Sequence, residues 1–193
     1  MSLLRYITHR NVTIDPSIPV PEWGLSNEGR RRAHAMLDQP RTTSIARIVS
    51  STETKAVETA EILATHLGLV VEVRPGIGEN DRSATGFVPP KEFEALADAF
   101  FANPHASVQG WERAIDAQQR IAHGLEDLLA SNEGDGDIAV IGHGGVGTLW
   151  YCHLTGVPID RDHDQPGQGH YYTIDLTTRS VAHTWRPIDA IPS

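Results

Sequence analysis

The sequence predicts an α/β protein of three layers, in which helices cover both faces of a mainly parallel β-sheet. Short apolar runs of strand length alternate along the chain with longer segments whose apolar residues recur at helical spacing. The clearest example is DIAVIGHGGVG at 137–147, where a run typical of a strand buried on both faces ends at Gly142 and a helical pattern follows. With 193 residues, the chain is expected to form one domain over residues 1–193.

Composition and charge argue against several classes of protein. A hydrophobic fraction of 39% with 21% charged residues is typical of a soluble globular protein. The net charge of −9 argues against broad nucleic-acid binding, which needs a basic face, but it leaves room for a local basic pocket that binds an anionic substrate. We expect no membrane span and no export signal, because the apolar runs are short and the amino-terminal segment is charged. Cys152 is the only cysteine, which favours a reducing, cytoplasmic location.

The amino-terminal part of the chain supplies a strand, a loop and a helix. The strand is predicted over Leu3–Ile7, and residues 12–25 contain three prolines that indicate an irregular loop over the end of this strand. Ser26 is a suitable N-cap for a helix predicted over Asn27–Leu37. Arg30–Arg32 point in different directions around that helix, so we interpret them as a solvated face.

The second strand, predicted over Ile45–Val49, leads directly into a helix. Ser50 and Glu53 have the spacing of a capping box at the start of this helix. Lys55 would lie in the first turn, where the helix dipole disfavours a cation. Lys55 is therefore either solvated or in contact with an anion beside the strand end, and the sequence favours neither alternative.

The remaining elements continue the alternation of strands and helices. A third strand is predicted over Leu69–Val73, helices over Lys91–Phe101 and from Trp111 to near Asn132, a strand over 138–141 followed by a helix, and a hairpin of Tyr171–Leu176 with Val181–Trp185. Strands that alternate with helices in this way imply a sheet whose strands run mainly parallel.

Two histidines follow predicted strands in the same manner. His9 lies in the segment Thr8–Asn11 after the first strand, and His143 follows the strand over 138–141. The carboxyl ends of parallel strands meet at the edge of the sheet where ligands bind, so the two imidazoles could face each other there. The backbone N–H groups that begin at Gly144 open a helix and favour an anion. The alternative is that His143 merely caps a turn.

Ten histidines also invite a metal-site hypothesis. Four candidate ligands fall within a short span, namely Asp162, His163, Asp164 and His170. Their loop contains two glycines and lacks the fixed ligand spacing of a helix or knuckle, so a polar crossing before the hairpin is the simpler interpretation. We expect neither a metal nor another cofactor.

Several segments occur in a recognisable order. Thr8-His9-Arg10 follows the first strand, Ser50-Ser51-Thr52-Glu53-Thr54-Lys55-Ala56-Val57-Glu58-Thr59-Ala60 opens the second helix, and His143-Gly144-Gly145-Val146 follows the buried strand. Between them fall Leu25–Arg30, Glu79 and Gly110-Trp111-Glu112. In this order the segments resemble the histidine phosphatase superfamily, the phosphoglycerate mutase-like proteins, over most of the chain.

The resemblance implies a mechanism in which a neutral histidine attacks phosphorus and becomes phosphohistidine. Position by position, it implies that His9 is the nucleophile, that His143 stabilises the transferred phosphoryl group, and that Glu79 protonates the leaving oxygen. Positive side chains and hydrogen-bond donors would offset the charge on the phosphoryl oxygens, so the chemistry would need no metal. The implied ligand is a small phosphorylated molecule.

The phosphate pocket departs from the family pattern at three positions. Thr8 replaces the arginine before the nucleophile, Lys55 replaces a second arginine, and Arg10 replaces a glycine. The planar fork that grips two phosphate oxygens is therefore lost at both arginine positions. Arg10 could compensate only if the loop turns it inward. Together with Asn11 and Gly144, these three residues are the expected phosphate-binding set.

Two hypotheses about function follow. The first is a phosphomonoesterase that works through phospho-His9, and a phosphoglycerate-type mutase is a less favoured version of it. The second is a catalytically weakened member that binds a phosphorylated ligand or a protein partner without turnover. The sequence favours the first hypothesis, because the nucleophile and the acid are the parts least easily replaced.

The loops that frame the pocket do not identify a substrate. They cover residues 12–25, 79–110 and 160–169, and they carry no recognisable motif. Arg82, Lys91 and Arg161 could select a multiply phosphorylated molecule, although solvated loop charges are the simpler interpretation. Nothing in the sequence indicates the oligomeric state.

Overall fold

A six-stranded β-sheet organises the chain in the computed structural model, which describes residues 2–132 and 134–189. Its strands are β1 (Leu3–Thr8), β2 (Ile45–Ser50), β3 (Val71–Val73), β4 (Asp137–Gly142), β5 (His170–Asp175) and β6 (Ser180–Pro187). They lie in the order β3-β2-β4-β1-β5-β6. The first four strands are mutually parallel, whereas β5 runs antiparallel to both of its neighbours. The sheet is therefore mainly parallel, as predicted.

Helices cover both faces of this sheet. They are α1 (Asn27–Leu37), α2 (Thr54–Leu67), α3 (Pro90–Ala102), α4 (Ala114–Ala130) and α5 (Gly144–Thr155). Side chains alternate between the faces along each strand, so Tyr6 and Val140 join the apolar core with α4 and α5, whereas Ile7 and Ile141 join the core with α1 and α2. This arrangement confirms the predicted three-layer α/β sandwich. Within the described residues, no helix is long and apolar enough to cross a membrane.

Most predicted boundaries lie within one or two residues of the observed ones. The helix predicted over Asn27–Leu37 has these bounds, and the Ser26 hydroxyl caps its first turn by accepting a backbone N–H at 3.1 Å. Strand β3 differs, because it begins at Val71 rather than at Leu69. The Leu69 N–H still closes the end of α2 by donating to the Ala64 carbonyl at 3.0 Å, so it does not join the sheet.

The predicted capping box at the start of α2 is wrong. Ser50 is the last residue of β2, and α2 begins only at Thr54. The Glu53 carboxylate accepts a hydrogen bond from the Glu79 N–H at 2.9 Å instead of capping its own helix. A contact between residues 26 positions apart, which no local pattern reveals, therefore determines where this side chain lies.

The arginines of α1 do not all form the predicted solvated face. Arg31 pairs with Glu28 on the surface, as expected. Arg32 is half-buried, and its guanidinium pairs with Asp189 at 2.6 Å and donates to the Asn11 Oδ1 at 2.9 Å. The interpretation is therefore wrong for Arg32, which fastens the loop after β1 to α1 and to the segment after β6.

Asp137 joins several strands at the edge of the sheet that lies opposite the two histidines. Its buried carboxylate accepts hydrogen bonds from the Leu3 N–H at 2.8 Å, the Arg5 guanidinium at 2.6 Å and the Ser44 hydroxyl at 2.5 Å. Burial raises the pKa of Asp137, but the hydrogen bonds from Ser44 and Arg5 outweigh this effect and lower it. One carboxylate thus joins β1, β4 and the residue that precedes β2.

Candidate active site

The structure brings His9 and His143 together at the carboxyl edge of the sheet. Strands β1 and β4 are parallel neighbours that align Thr8 with Gly142, so the residues that follow the two strands lie side by side. The His9 N–H donates to the Gly142 carbonyl at 3.0 Å. The centroids of the two imidazole rings are 5.3 Å apart, the ring planes meet at 61°, and both side chains are buried. Two strand-end histidines therefore share one site.

His9 presents its Nε2 as an unprotonated atom. Its Nδ1 lies 2.8 Å from the backbone carbonyl oxygen of Arg10. A carbonyl oxygen only accepts, so Nδ1 carries the hydrogen and Nε2 carries the lone pair. Burial, together with the nearby His143 and Lys55, lowers the pKa of His9 to about 3. A neutral imidazole of this kind is the form that attacks phosphorus.

His143 is held by residues that follow β2. The Ser51 hydroxyl oxygen lies 2.7 Å from the His143 Nε2, and the Glu53 Oε1 lies 3.4 Å from the same atom. Burial lowers the pKa of His143 to about 4, although the Glu53 carboxylate acts in the opposite direction. The buried Nδ1 has no hydrogen-bond partner within the part of the chain that the structure describes. Nδ1 is therefore the atom of this ring that a ligand oxygen can engage.

Tyr6 holds the backbone of His143 in place. Its hydroxyl donates to the His143 carbonyl and accepts from the His143 N–H, each at 3.1 Å. A Cβ at Gly142 would lie 2.4 Å from the same hydroxyl oxygen, so glycine is required beside it. The Tyr6 ring stacks on Tyr172 with centroids 5.3 Å apart. Burial raises the pKa of Tyr6 far above its ordinary value, which keeps the hydroxyl protonated.

Lys55 contacts an anion, and that anion belongs to the protein itself. The Lys55 Nζ lies 2.5 Å from the Glu53 Oε2 and donates to the Val20 carbonyl at 2.9 Å. Burial raises the pKa of Glu53, but the neighbouring His143 and Lys55 outweigh it and lower the pKa to about 2. Glu53 is therefore ionised at neutral pH. It neutralises Lys55, which lies where the resemblance implies an arginine.

The side chains of the residues around His9 contact other parts of the protein rather than an open pocket. The Arg10 side chain is fully buried, donates to the Thr8 carbonyl at 2.6 Å and contacts the Met36 Sδ at 3.2 Å, and burial lowers its pKa to about 9. The loop thus turns Arg10 toward α1, and we do not include it in the proposed phosphate site. The Thr8 hydroxyl donates to the Gln165 Oε1 at 2.7 Å, and the Asn11 Oδ1 accepts from Arg32.

Glu79 occupies the amino-terminal end of α5. Its Oε1 accepts from the Val146 N–H at 3.0 Å, and its Oε2 accepts from the Gly145 N–H at 3.1 Å. A carboxylate at this end of a helix is favoured by the helix dipole and by the unpaired N–H groups of the first turn. The helix start therefore already holds an anion, and Gly144 precedes the two N–H groups that Glu79 uses. Arg120 holds the loop from behind by donating to the Glu79 carbonyl at 3.1 Å.

Two of the four candidate metal ligands in residues 162–170 form hydrogen bonds within the protein. The Asp164 Oδ1 accepts from the Thr148 hydroxyl at 2.8 Å, and the His170 Nδ1 lies 2.6 Å from the Gly167 carbonyl oxygen. Over residues 2–132 and 134–189, no group of three or more His, Cys, Asp and Glu side chains is placed to hold a metal ion. The polar-crossing interpretation therefore accounts for these contacts.

The free energy of unfolding is expected to decrease as the pH falls below 6.5. Between 6.5 and the lowered pKa values of His9 and His143, about 3 and about 4, the unfolded chain binds protons that the folded protein excludes. Glu53 adds a further loss below its ordinary pKa of 4.5, because its pKa in the folded state is about 2. Urea denaturation over this pH range measures the effect. His9→Asn should make the free energy of unfolding depend less steeply on pH, whereas the exposed-site control His66→Gln should behave like the wild type. Equal slopes for the wild type and both variants would contradict the lowered pKa of His9.

Two neutral histidines thus face each other at the end of a parallel sheet. The chain belongs to the histidine phosphatase superfamily (branch 1), whose family model matches residues 17–182. The match begins after His9, so it covers the second histidine but not the first.

Solved structures with the same fold span nearly the whole chain. A mycobacterial glucosyl-3-phosphoglycerate phosphatase in complex with inorganic phosphate is 21% identical with a TM-score of 0.77, over 99% of this chain and 100% of that one. A phosphoserine phosphatase from Entamoeba histolytica in complex with 3-phosphoglyceric acid is 17% identical with a TM-score of 0.78, over 98% and 99%. Bacillus stearothermophilus YhfR is 21% identical with a TM-score of 0.77, over 95% of each chain. No curated protein matches the sequence significantly.

Sequence reasoning did not identify Ser51, Glu53 and Tyr6 as site residues. Glu53 alone leaves a local signal, because a cation in the first turn of a helix is unfavourable unless a nearby carboxylate pairs with it. Ser51 and Tyr6 reach His143 across 92 and 137 residues of sequence, respectively. Only the folded sheet reveals contacts of this kind.

Proposed function

We propose that this protein hydrolyses the phosphate monoester of a small molecule through a phosphohistidine at His9. One observation carries the proposal: the His9 Nδ1 is tied to the Arg10 carbonyl at 2.8 Å, which leaves Nε2 unprotonated beside His143. The burial that lowers the pKa of His9 keeps it neutral at neutral pH. Membership of the histidine phosphatase superfamily supports the same assignment.

In the first step, the His9 Nε2 attacks phosphorus, a P–N bond forms, and the bond from phosphorus to the alcohol oxygen breaks. The leaving oxygen takes a proton from Glu79, which lies beside His143 at the start of α5 and receives this proton from the phosphate monoanion when the ester binds. Where the Ser51 hydroxyl donates to its Nε2, His143 carries its hydrogen on Nδ1 and can donate to a phosphoryl oxygen. The chain thus supplies a nucleophile, an acid and a hydrogen-bond donor.

In the second step, water attacks the phosphorus of phospho-His9 and the P–N bond breaks. The water proton passes to the Glu79 carboxylate and leaves with the inorganic phosphate, so Glu79 and His9 return to their starting forms. The Gly144 N–H contributes positive potential to the phosphoryl oxygens, and Lys55 contributes less than an unpaired cation would because Glu53 neutralises it. Transfer back to a second hydroxyl in place of water would make the protein a mutase, which we favour less.

The substrate class we propose is a small phosphate ester with a second anionic group. Arg161 is paired with two carboxylates of α3, so it is committed to the protein. The Arg82 guanidinium lies over the rings of Phe93 and Trp111, 5.1 and 5.6 Å from their centroids, with no carboxylate partner among the described residues. Burial of His143 is the main cause of its lowered pKa, and the positive charge of Arg82 lowers this pKa further. The phosphorylated acids named for the similar structures support this class.

The pairing of Lys55 with Glu53 favours a second candidate function. A cation that is neutralised within the protein stabilises a phosphoryl transition state less than a free arginine does. A protein that only binds its ligand does not need this stabilisation. The chain would then bind a phosphorylated ligand or a protein partner without turnover. This candidate predicts anion binding without release of phosphate.

One experiment separates the two functions. The protein is incubated with p-nitrophenyl phosphate and with a panel of phosphorylated sugars and hydroxy acids, and phosphate release is followed beside a titration with inorganic phosphate. Hydrolysis with an acid-labile, alkali-stable phosphate on the peptide that contains His9 supports the phosphomonoesterase. Phosphate binding without hydrolysis of any ester supports the weakened member, and the absence of both excludes the two candidates together.

A further inference from the structure

Gln165 has its side-chain amide oriented by Thr8. The Thr8 hydroxyl oxygen accepts from the Gly169 N–H at 3.0 Å and from the His170 N–H at 3.1 Å. Both of its acceptor positions are thereby filled, so its own hydrogen must be donated. The Gln165 Oε1 lies 2.7 Å away and the His170 carbonyl oxygen 3.3 Å away, and the nearer Gln165 Oε1 receives this hydrogen. The oxygen end of the amide therefore faces Thr8, and the NH₂ end points the other way.

The NH₂ end of Gln165 lies against the residue that follows His143. A Cβ built on Gly144 would lie 2.3 Å from the Gln165 Nε2, so the amide nitrogen is in close contact with the first residue of α5. The Nε2 has no hydrogen-bond acceptor among the residues that the structure describes. Two unused hydrogens are thus carried by an amide nitrogen that lies beside the residue following His143.

We propose that Gln165 binds a phosphoryl oxygen through its Nε2 and that Thr8 is the residue that positions it. The inference rests on the proposed function, because the ligand is the phosphoryl group transferred to His9. Where the resemblance places an arginine at position 8, this chain has a hydroxyl that holds the amide of a residue 157 positions further along. A neutral amide donates without adding charge, so it replaces part of the lost guanidinium rather than all of it.

Phosphate affinity and turnover of Gln165 variants test this role. Gln165→Ala is expected to weaken binding of inorganic phosphate about tenfold and to lower kcat/KM for p-nitrophenyl phosphate about a hundredfold. Gln165→Glu should lose more, because it places a negative charge beside the phosphoryl group. Gln168→Ala is the matched control, since its carbonyl, not its side chain, bonds to Arg32. This control should retain wild-type affinity and turnover.

Variants of Thr8 test the positioning. Thr8→Ser keeps the hydroxyl and should bind phosphate like the wild type, whereas Thr8→Val should match Gln165→Ala. The double variant Thr8→Val/Gln165→Ala should be no weaker than either single variant, because both remove the same interaction. A purely structural role for Thr8 would instead give losses that add. Thr8→Ser keeps the test decisive if Thr8→Val fails to fold.

The outcomes separate this inference from the proposed function. If Gln165→Ala binds phosphate and turns over like the wild type while His9→Asn is inactive, the inference is wrong and the proposed function stands. If the wild type binds phosphate but hydrolyses no ester, a tenfold weaker affinity of Gln165→Ala upholds the inference while turnover is excluded. If the wild type neither binds phosphate nor hydrolyses an ester, both proposals are wrong.

Discussion

His9→Asn is expected to lower kcat/KM for a phosphate monoester by about 10⁴-fold or more, since loss of a nucleophile removes the covalent route altogether. The asparagine amide still donates to the Arg10 carbonyl, which His9 contacts at 2.8 Å, but it carries no atom in place of Nε2. The substitution therefore removes the reacting atom and keeps the local hydrogen bond. Steady-state hydrolysis of p-nitrophenyl phosphate and detection of the phosphorylated peptide are the measurements.

A matched control makes this result interpretable. His34 lies exposed on α1, so His34→Asn should leave both turnover and phosphorylation unchanged. The thermal unfolding midpoint of His9→Asn should stay close to that of the wild type, which separates lost chemistry from lost structure. Full turnover by a folded His9→Asn protein would show that the nucleophile is another residue.

Asp137→Ala is expected to lower the free energy of unfolding by about 3–5 kcal/mol, because it leaves the Arg5 guanidinium buried without its counter-ion. The hydrogen bonds from Leu3 and Ser44 are lost at the same time. Such a loss is a large part of the roughly 5–15 kcal/mol that stabilises a typical domain. Urea denaturation at neutral pH measures the change.

The surface pair Arg113–Asp116 offers the comparison. Its side chains are 48% and 42% exposed, so Asp116→Ala should cost far less stability than Asp137→Ala. Because Asp137 lies at the edge of the sheet opposite the histidines, the folded fraction of Asp137→Ala should keep wild-type turnover per molecule. Equal losses of stability for Asp116→Ala and Asp137→Ala would contradict the structural role assigned to Asp137.

The sheet could be predicted from the sequence because its signals are local. The apolar run 138–141 and the strand over Leu3–Ile7 each identify a buried strand, and in both cases a histidine is the second residue after the run. The parallel sheet then places His9 and His143 at one edge, whatever the details of the loops. Ser26 likewise gives the start of α1 correctly, since an N-cap acts within three residues.

The polar interior of the pocket could not be predicted, because its contacts join distant segments. Glu53 has the spacing of a capping residue, yet it pairs with Lys55 and with the Glu79 N–H. Arg10 is the charged residue next to His9, yet the loop buries it against Met36. In both cases the sequence shows which residue type occupies the position, but not the direction in which its side chain points. Long-range contacts decide the direction, and one sequence does not contain them.

The hydroxyl of Tyr6 has a consequence for how the protein responds to acid. Its pKa is raised, so it keeps its hydrogen throughout the range in which the imidazoles and Glu53 change charge. The Tyr6 hydroxyl that holds the backbone of His143 thus keeps its charge state in acid, while the His143 imidazole does not. Activity lost in acid by protein that is still folded would accordingly report the charge state of the rings and not a misaligned backbone.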